Sequence, residues 1–235
     1  MSSGPMPTAV TSASEERMRR FLATASHDLQ SPLRHIAMYA EILLDELSET
    51  LDSEQRESLT AILQKAQTAQ RLTKALMSFA AGTPQVSPAP VELGPIVDGL
   101  WTELKAEVGA NDATFSHHTL PSLNSDAALL STALKNILAN ALLYRGAATL
   151  HVELAAERSG SDWLIHISDN GRGIEPAHQE RIFEPFWKLP QPDAVAGSGL
   201  GLTAARELLT ALGGDLTLSH SDRTGSRFTI RLPAT

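Results

Sequence analysis

The stretch ISDNGRGIEP, from Ile167 to Pro176, sets the grammar of the second half of the chain. The run from Trp163 to Ser168 reads as a strand that delivers Asp169 to its end, beside Gly171 and Gly173. A carboxylate buried there is placed to accept a hydrogen bond from a heterocycle's exocyclic amine, such as that of adenine. The two glycines let the backbone come close to a flat base.

Working outward, RIFEPFWKL at 181–189 puts Phe183 and Phe186 on either side of a Glu-Pro turn. The pair either closes over a ligand or anchors a loop to the core, and spacing alone favours the anchor. GSGLGL at 197–202 alternates Gly197, Gly199 and Gly201 with Ser198 and Leu200, then runs into TAARELLTAL. That pattern predicts a phosphate-cradling turn at a helix N-terminus. It is neither GxxxxGK[ST] nor GxGxxG after a first strand, so neither a P-loop nor a Rossmann fingerprint fits. On the other side, LKNILANALLY at 134–144 carries Asn136 and Asn140 one helical turn apart on a shared face. Amide oxygens so placed suit a hard cation such as Mg²⁺. Each feature is weak alone; Asn-x-x-x-Asn, DNGRG and GSGLGL in this order are far more specific.

The elements around them are mixed. Helices are predicted at 95–108, within 124–144 from a cap at Ser125 or Asp126, and at 200–212. Strands are predicted at 150–156 and 163–168, with DLTLSHS and SRFTIRLP closing a pair around DRTG at 222–225. This order predicts an α/β sandwich, helices layered on one sheet face, over residues 91–235.

The first part of the chain differs. Residues 14–81 contain one internal proline, no glycine and much Ala, Leu, Glu, Gln and Arg. Phe21, Ala25, Leu29, Leu33, Ile36, Ala40 and Leu43 recur at helical spacing, and Leu59, Ile62, Leu63, Ala66, Ala69, Leu72, Leu76 and Phe79 do so again. Asp52 or Ser53 is placed to cap the second run. The expectation is a helical hairpin over 15–82, its first arm at 15–48 on the order of 50 Å long. Two such helices cannot enclose a core, so two hairpins should combine into a dimeric four-helix bundle. Residues 1–14 read as a flexible lead-in, and AGTPQVSPAP ends the second helix and supplies a linker at 83–90.

ASHDLQSPLRH, at 25–35, lies in the first arm. His27 should project from the flank of the apolar stripe. A neutral imidazole is nucleophilic near pH 7, and a neighbouring carboxylate such as Asp28 can orient it and accept its proton. Pro32 should loosen the helix one turn further on. The other seven histidines carry no such context and read as surface residues.

Composition narrows the classes. The 235 residues are 42% hydrophobic and 20% charged, with a net charge of −8 and no basic block, which argues against nucleic-acid binding. The absence of cysteine excludes disulfides and thiolate metal sites. No apolar run reaches the roughly 20 residues of a membrane span and no signal peptide is evident, so direct membrane insertion is not expected and a cytoplasmic location is.

These motifs resemble those of sensor histidine kinases of bacterial two-component systems, over roughly residues 15–233. SHDLQSPLRH resembles the family's H-box, LKNILANALLY its N-box, DNGRG and GSGLGL its glycine boxes, and RIFEPFWKL its F-box. The H-box wording is most similar to kinases found behind phytochrome-type photosensors. The resemblance implies a dimerisation and phosphotransfer hairpin followed by a Bergerat-type ATPase domain, with ATP and Mg²⁺ as cofactors. It implies that His27 is the phosphorylated residue and Asp28 its acidic partner. Asn140 would be the main metal ligand with Asn136 beside it, and Asp169 would bind adenine. Gly171, Gly173, Gly197, Gly199, Leu200 and Gly201 would shape the nucleotide cavity. Tyr144 would border the base or ribose, Lys188 would reach the phosphates, and 188–198 would be a mobile lid. Implied partners are a second copy through 15–82, a response regulator receiver domain, and a sensory domain upstream or on another chain. Three departures stand out. Leu143 replaces the Lys or Arg of many members, with Arg145 nearby; the lid is short and lacks arginine; and Ser31 stands where many members have Thr or Asn to place a dephosphorylating water. Two rivals follow from the same residues. One is a dimeric histidine phosphotransfer protein whose ATPase-like domain no longer binds ATP, and the other is a different Bergerat-fold ATPase.

Overall fold

A computed structural model describes residues 8–80, 85–146, 148–189 and 198–234. The chain divides into two compact units, residues 1–82 and 83–235.

The first unit is a hairpin of α1 (Thr8–Glu46) and α2 (Ser53–Ala80). α1 starts at Thr8, within the stretch expected to be a flexible lead-in; 9–26 lack glycine and proline, so nothing local ends the helix earlier. It runs through Pro32 as one helix. The proline removes the N–H that would bond the Asp28 carbonyl, one residue past His27. α2 opens with a reciprocal cap: Asp52 Oδ1 accepts from the Gln55 N–H at 2.8 Å, and Gln55 Oε1 accepts from the Asp52 N–H at 3.2 Å. The described interior of the hairpin is made of small residues, with Ser26, Ala37, Ala40, Ala66 and Thr73 buried. Leu29, Ile36, Tyr39, Ile42 and Leu43 remain exposed. No helix among the described residues is long and apolar enough to cross a membrane.

The second unit holds a five-stranded sheet in the order β2–β4–β5–β7–β6. Its strands are β2 (Thr114–His117), β4 (His151–Ser159), β5 (Asp162–Asp169), β6 (Asp215–Asp222) and β7 (Gly225–Pro233). β2 pairs parallel to β4 and the other pairs are antiparallel. Alternate residues of the central strands are buried: Val152 and Leu154, Ile165 and Ile167, Phe228, Ile230 and Leu232. That face joins α3 (Leu93–Glu107), α4 (Ala127–Leu143) and α5 (Gly201–Ala211) in one core, through Val97, Leu104, Leu134, Leu138, Ala205 and Leu209.

Several boundaries differ from the sequence reading. β1 (Ala89–Glu92) begins inside the expected linker and pairs antiparallel with β3 (Ser122–Ser125). Asn124 and Ser125 therefore belong to a strand, and α4 starts after Asp126, whose Oδ1 accepts from the Ala128 and Leu129 N–H groups at 3.0 and 3.1 Å. α3 begins at Leu93, ahead of Pro95, because a first-turn proline forfeits no helical bond.

Candidate functional site

Asp169 ends β5 in the alternation that buries Ile165 and Ile167, so a carboxylate occupies a core-facing position. Its Oδ1 accepts from the Gly171 N–H at 2.8 Å. Burial pushes the carboxyl above its ordinary value, against the pull of amide hydrogen bonds from Gly171 and Ser226. A Cβ at Gly171 would meet Asp169 Oδ1 at 2.7 Å and the Tyr144 carbonyl at 3.0 Å, so only glycine lets the loop close on this carboxylate. Gly173 has a φ of 69° and would drive a Cβ to 1.5 Å from the Asp222 carbonyl. Its requirement is steric and lies in the fold.

α4 carries three of the predicted residues. Asn136, Asn140 and Tyr144 recur at i, i+4 and i+8, with Tyr144 at the C-cap, and all three are half-buried. At the Tyr144 end the helix meets the glycine loop, since the Tyr144 carbonyl accepts from the Arg172 N–H at 3.4 Å. Burial pushes the Tyr144 phenol up, with Arg172 opposing. At the Asn136 end the helix meets the start of α5: a Cβ on Gly201 would lie 3.9 Å from Asn136 Oδ1. The two ends are about 12 Å apart along the helix.

The start of α5 offers backbone donors. No side chain caps it, and Ser198 Oγ accepts from the Leu200 N–H at 3.1 Å. The Leu200 side chain is buried, so its backbone is the part left to line a cavity there. Gly199 has a φ of 71°, and a Cβ there would meet the backbone of Phe186 and Trp187 within 2.9 Å. Gly201 has no such crowding, so its lack of a side chain answers to a ligand or to nothing.

The two aromatics separate. Phe183 anchors: its carbonyl accepts from Thr203 Oγ1 at 2.9 Å, and the Arg206 guanidinium lies 4.8 Å from its ring centroid. Phe186 is 55% exposed with a φ of 64°. Of the expected lid at 188–198, Lys188, Leu189 and Ser198 are described and only Lys188 is exposed; Gly197 and the rest, 190–197, lie outside the described residues. Leu143 is half-buried and Arg145 exposed.

The hairpin presents His27 with its side chain 76% exposed and Nδ1 3.4 Å from Asp28 Oδ1. Ser31 is exposed one turn further along α1. The sequence reading missed Asn170, whose side chain accepts from the His151 N–H at 2.7 Å and donates to the Thr149 carbonyl at 3.1 Å. These bonds pin the glycine loop to the start of β4. The Asn of DNGRG was the available signal.

Residues 17–84 match the model of the His Kinase A (phospho-acceptor) domain, and residues 125–235 match that of the histidine kinase-, DNA gyrase B- and HSP90-like ATPases. This chain belongs to the histidine kinases. Its helical hairpin and α/β sandwich are the phospho-acceptor and Bergerat-type ATPase parts of such a kinase core. The sensor-like histidine kinase SenX3 of Mycobacterium tuberculosis (strain ATCC 25618 / H37Rv) is 31% identical, over 94% of this chain and 55% of its own length. Cyanobacterial phytochrome A of Nostoc sp. (strain PCC 7120 / SAG 25.82 / UTEX 2576) is 26% identical over 94% of this chain and 29% of its own length. The chain thus spans under a third of that phytochrome. Full-length ShkA, solved in complex with AMPPNP, is 25% identical with a TM-score of 0.71, covering 91% of this chain and 45% of ShkA.

The residues present fit a nucleoside triphosphate with a divalent cation. A half-buried carboxylate and a close glycine lie at one end of α4. Amide oxygens and an uncapped helix N-terminus lie at the other.

Proposed function

We propose that this histidine kinase core uses ATP to phosphorylate its own His27 and passes the phosphoryl group to an aspartate of a response regulator receiver domain. The observation that carries the reading is the presence, in one chain, of an exposed imidazole beside a carboxylate and of a set of polar groups whose chemistry differs between the two ends of α4. Asp169 would accept from the adenine amine, with Gly171 close to the ring and Tyr144 bordering base or ribose. Asn140, with Asn136, would hold Mg²⁺, whose charge would offset that of the triphosphate. The amides at the start of α5 and Lys188 would receive the phosphates, while Gly173 and Gly199 hold the two loops in shape.

In the reaction, His27 Nδ1 lies 3.4 Å from Asp28 Oδ1, and with the proton on Nδ1 the nucleophilic nitrogen is Nε2. Nε2 forms a bond to the γ-phosphorus as the bond from that phosphorus to the β–γ bridging oxygen breaks. ADP leaves, and Asp28 receives the Nδ1 proton. Positioning and charge stabilisation supply the catalysis. The receiver aspartate then attacks the phosphohistidine, and the exposed Ser31 hydroxyl, one turn further along α1, would place a water for dephosphorylating the receiver. The homodimer would form through 15–82, and the phytochrome-type likeness supports an input domain of that kind, upstream or on another chain. ATP dependence supports a cytoplasmic setting.

The test is incubation of the full chain with labelled ATP and Mg²⁺, followed by mass mapping of acid-labile phosphate. His27→Gln should abolish labelling and leave ATP affinity within a few-fold. Label retained in that variant would overturn the assignment of the acceptor.

A further inference from the structure

The core face of the sheet changes character in its last row. Leu154, Ile167, Phe228 and Leu218 face one another across β4, β5, β7 and β6, a row that is wholly apolar. At the next core-facing position the sequence of residues across β5, β7 and β6 is Asp169, Ser226 and Ser221. Ser226 is buried. Polar groups at core positions cost free energy unless partnered, so a row of three asks what they hold.

Ser221 reaches that row through a β-bulge. β6 pairs Leu218 with Phe228 and then, after a register shift, His220 with Arg227 and Ser221 with Ser226. Without the extra residue, His220 would stand opposite Ser226 and Ser221 would point to the other face. Bulges beside functional sites commonly re-aim a side chain in this way.

The re-aimed hydroxyl is fully used. Ser221 Oγ accepts from the Ile174 N–H at 2.8 Å, donates toward the Gly225 carbonyl at 3.3 Å and lies 2.9 Å from Ser226 Oγ. Gln179 closes the same junction, its Nε2 donating to the Ile174 carbonyl at 3.0 Å and to the Ser221 carbonyl at 3.3 Å. Ile174 is the end of the glycine loop that begins at Asp169. The loop is therefore tied to the β6–β7 end at its far side, while the Ser226 amide holds the Asp169 carboxylate at its near side.

We propose that Ser221 and Gln179 are positioning residues for base recognition, fixing the 169–174 loop so that the Asp169 carboxylate stays aimed at the adenine amine. The inference rests on the reading of Asp169 as the base acceptor. Neither side chain would touch the base: Ser221 acts through Ile174 and Ser226, and Gln179 through Ile174 and Ser221. Losing the clip frees the loop without removing the carboxylate, so discrimination between adenine and guanine should suffer along with affinity.

The experiment measures ATP and GTP binding to the full chain by calorimetry, beside thermal melting, for Ser221→Ala, Ser221→Thr, Gln179→Met and Asp169→Asn. Ser221→Ala and Gln179→Met should each weaken ATP about tenfold, the effect of one lost hydrogen bond. The ATP-to-GTP preference should fall with it, melting should stay put, and Ser221→Thr, which keeps the hydroxyl, should restore both affinity and preference. If Asp169→Asn loses ATP while Ser221→Ala and Gln179→Met keep wild-type affinity and preference, the clip is overturned and the Asp169 reading stands. A parallel fall of affinity and melting temperature with unchanged base preference also overturns it, as a purely structural role. ATP binding unaffected by Asp169→Asn overturns the underlying reading itself.

Discussion

At the scale of single residues, Asp169 sets function against stability. Its carboxyl is raised above the ordinary 3.8 by burial, so the folded chain holds that proton more tightly than the unfolded chain does. A raised carboxyl favours folding fully below 3.8, and that contribution is lost as the pH climbs through the higher folded-state value. At neutral pH the ionised form of this side chain is a burden on the fold, which the proposed base contact would account for. Asp169→Asn keeps the shape and one acceptor while removing the charge. It should raise the melting temperature at neutral pH by about 2–4 °C, the shift that about 1 kcal/mol gives at this size. That gain should vanish below pH 3.8, and ATP binding should be lost throughout. Melting curves across that pH range decide it: a variant less stable than the parent at neutral pH would show that the amide bonds from Gly171 and Ser226 outweigh desolvation.

At the scale of elements, α1 carries a local weakness beside His27, the proposed acceptor. Pro32 leaves the Asp28 carbonyl without its helical donor, and an interior proline costs about 3 kcal/mol. Ser26, the residue before His27, adds a buried hydroxyl with no hydrogen-bond partner. Both features sit within a turn and a half of His27, the proposed phosphoryl acceptor. Pro32→Ala supplies the missing N–H and should stabilise the hairpin by up to about 3 kcal/mol. Hydrogen exchange at residues 28–36 should slow with it. Unchanged exchange there would show that the helix already satisfies Asp28 by another route.

At the scale of the molecule, the two units differ in how far each closes its own core. The sandwich buries its sheet against three helices, whereas the hairpin leaves Phe21 at 67%, Tyr39 at 60% and Leu29 at 53% exposure. Apolar surface on that scale in a two-helix unit calls for a partner hairpin. A cut before residue 85 preserves the bond from the Ser87 N–H to Asp126 Oδ2 at 3.0 Å and the β1–β3 pairing, so the ATPase part keeps its first strand. Residues 85–235 should therefore sediment as a folded monomer that binds ATP, and residues 1–84 as a helical dimer that accepts phosphate only when the other piece is present. A monomeric hairpin or a dimeric ATPase fragment at micromolar concentration would move the association surface to the other unit.

The sequence by itself determined the long helices, the strands β4 to β7 in outline and the identity of the glycine and asparagine motifs, because periodicity and glycine placement are local properties. β1, β2 and β3 escaped it: each is four residues long, too short for an alternation to register, and β1 contains Pro90 in what reads as a linker. Only the tertiary structure separated glycines that the motifs list alike. Gly173 and Gly199 answer to backbone atoms of other segments, Gly171 to Asp169, and Gly201 to none of these. Only the tertiary structure brought Ser221, Ser226 and Gln179 behind Asp169, since their meeting depends on strand register and on one extra residue at the β6 bulge. Contacts among segments more than 40 residues apart are set by how strands pair, and outside a hairpin such as β6–β7 that pairing is not a local property of the residues on either side.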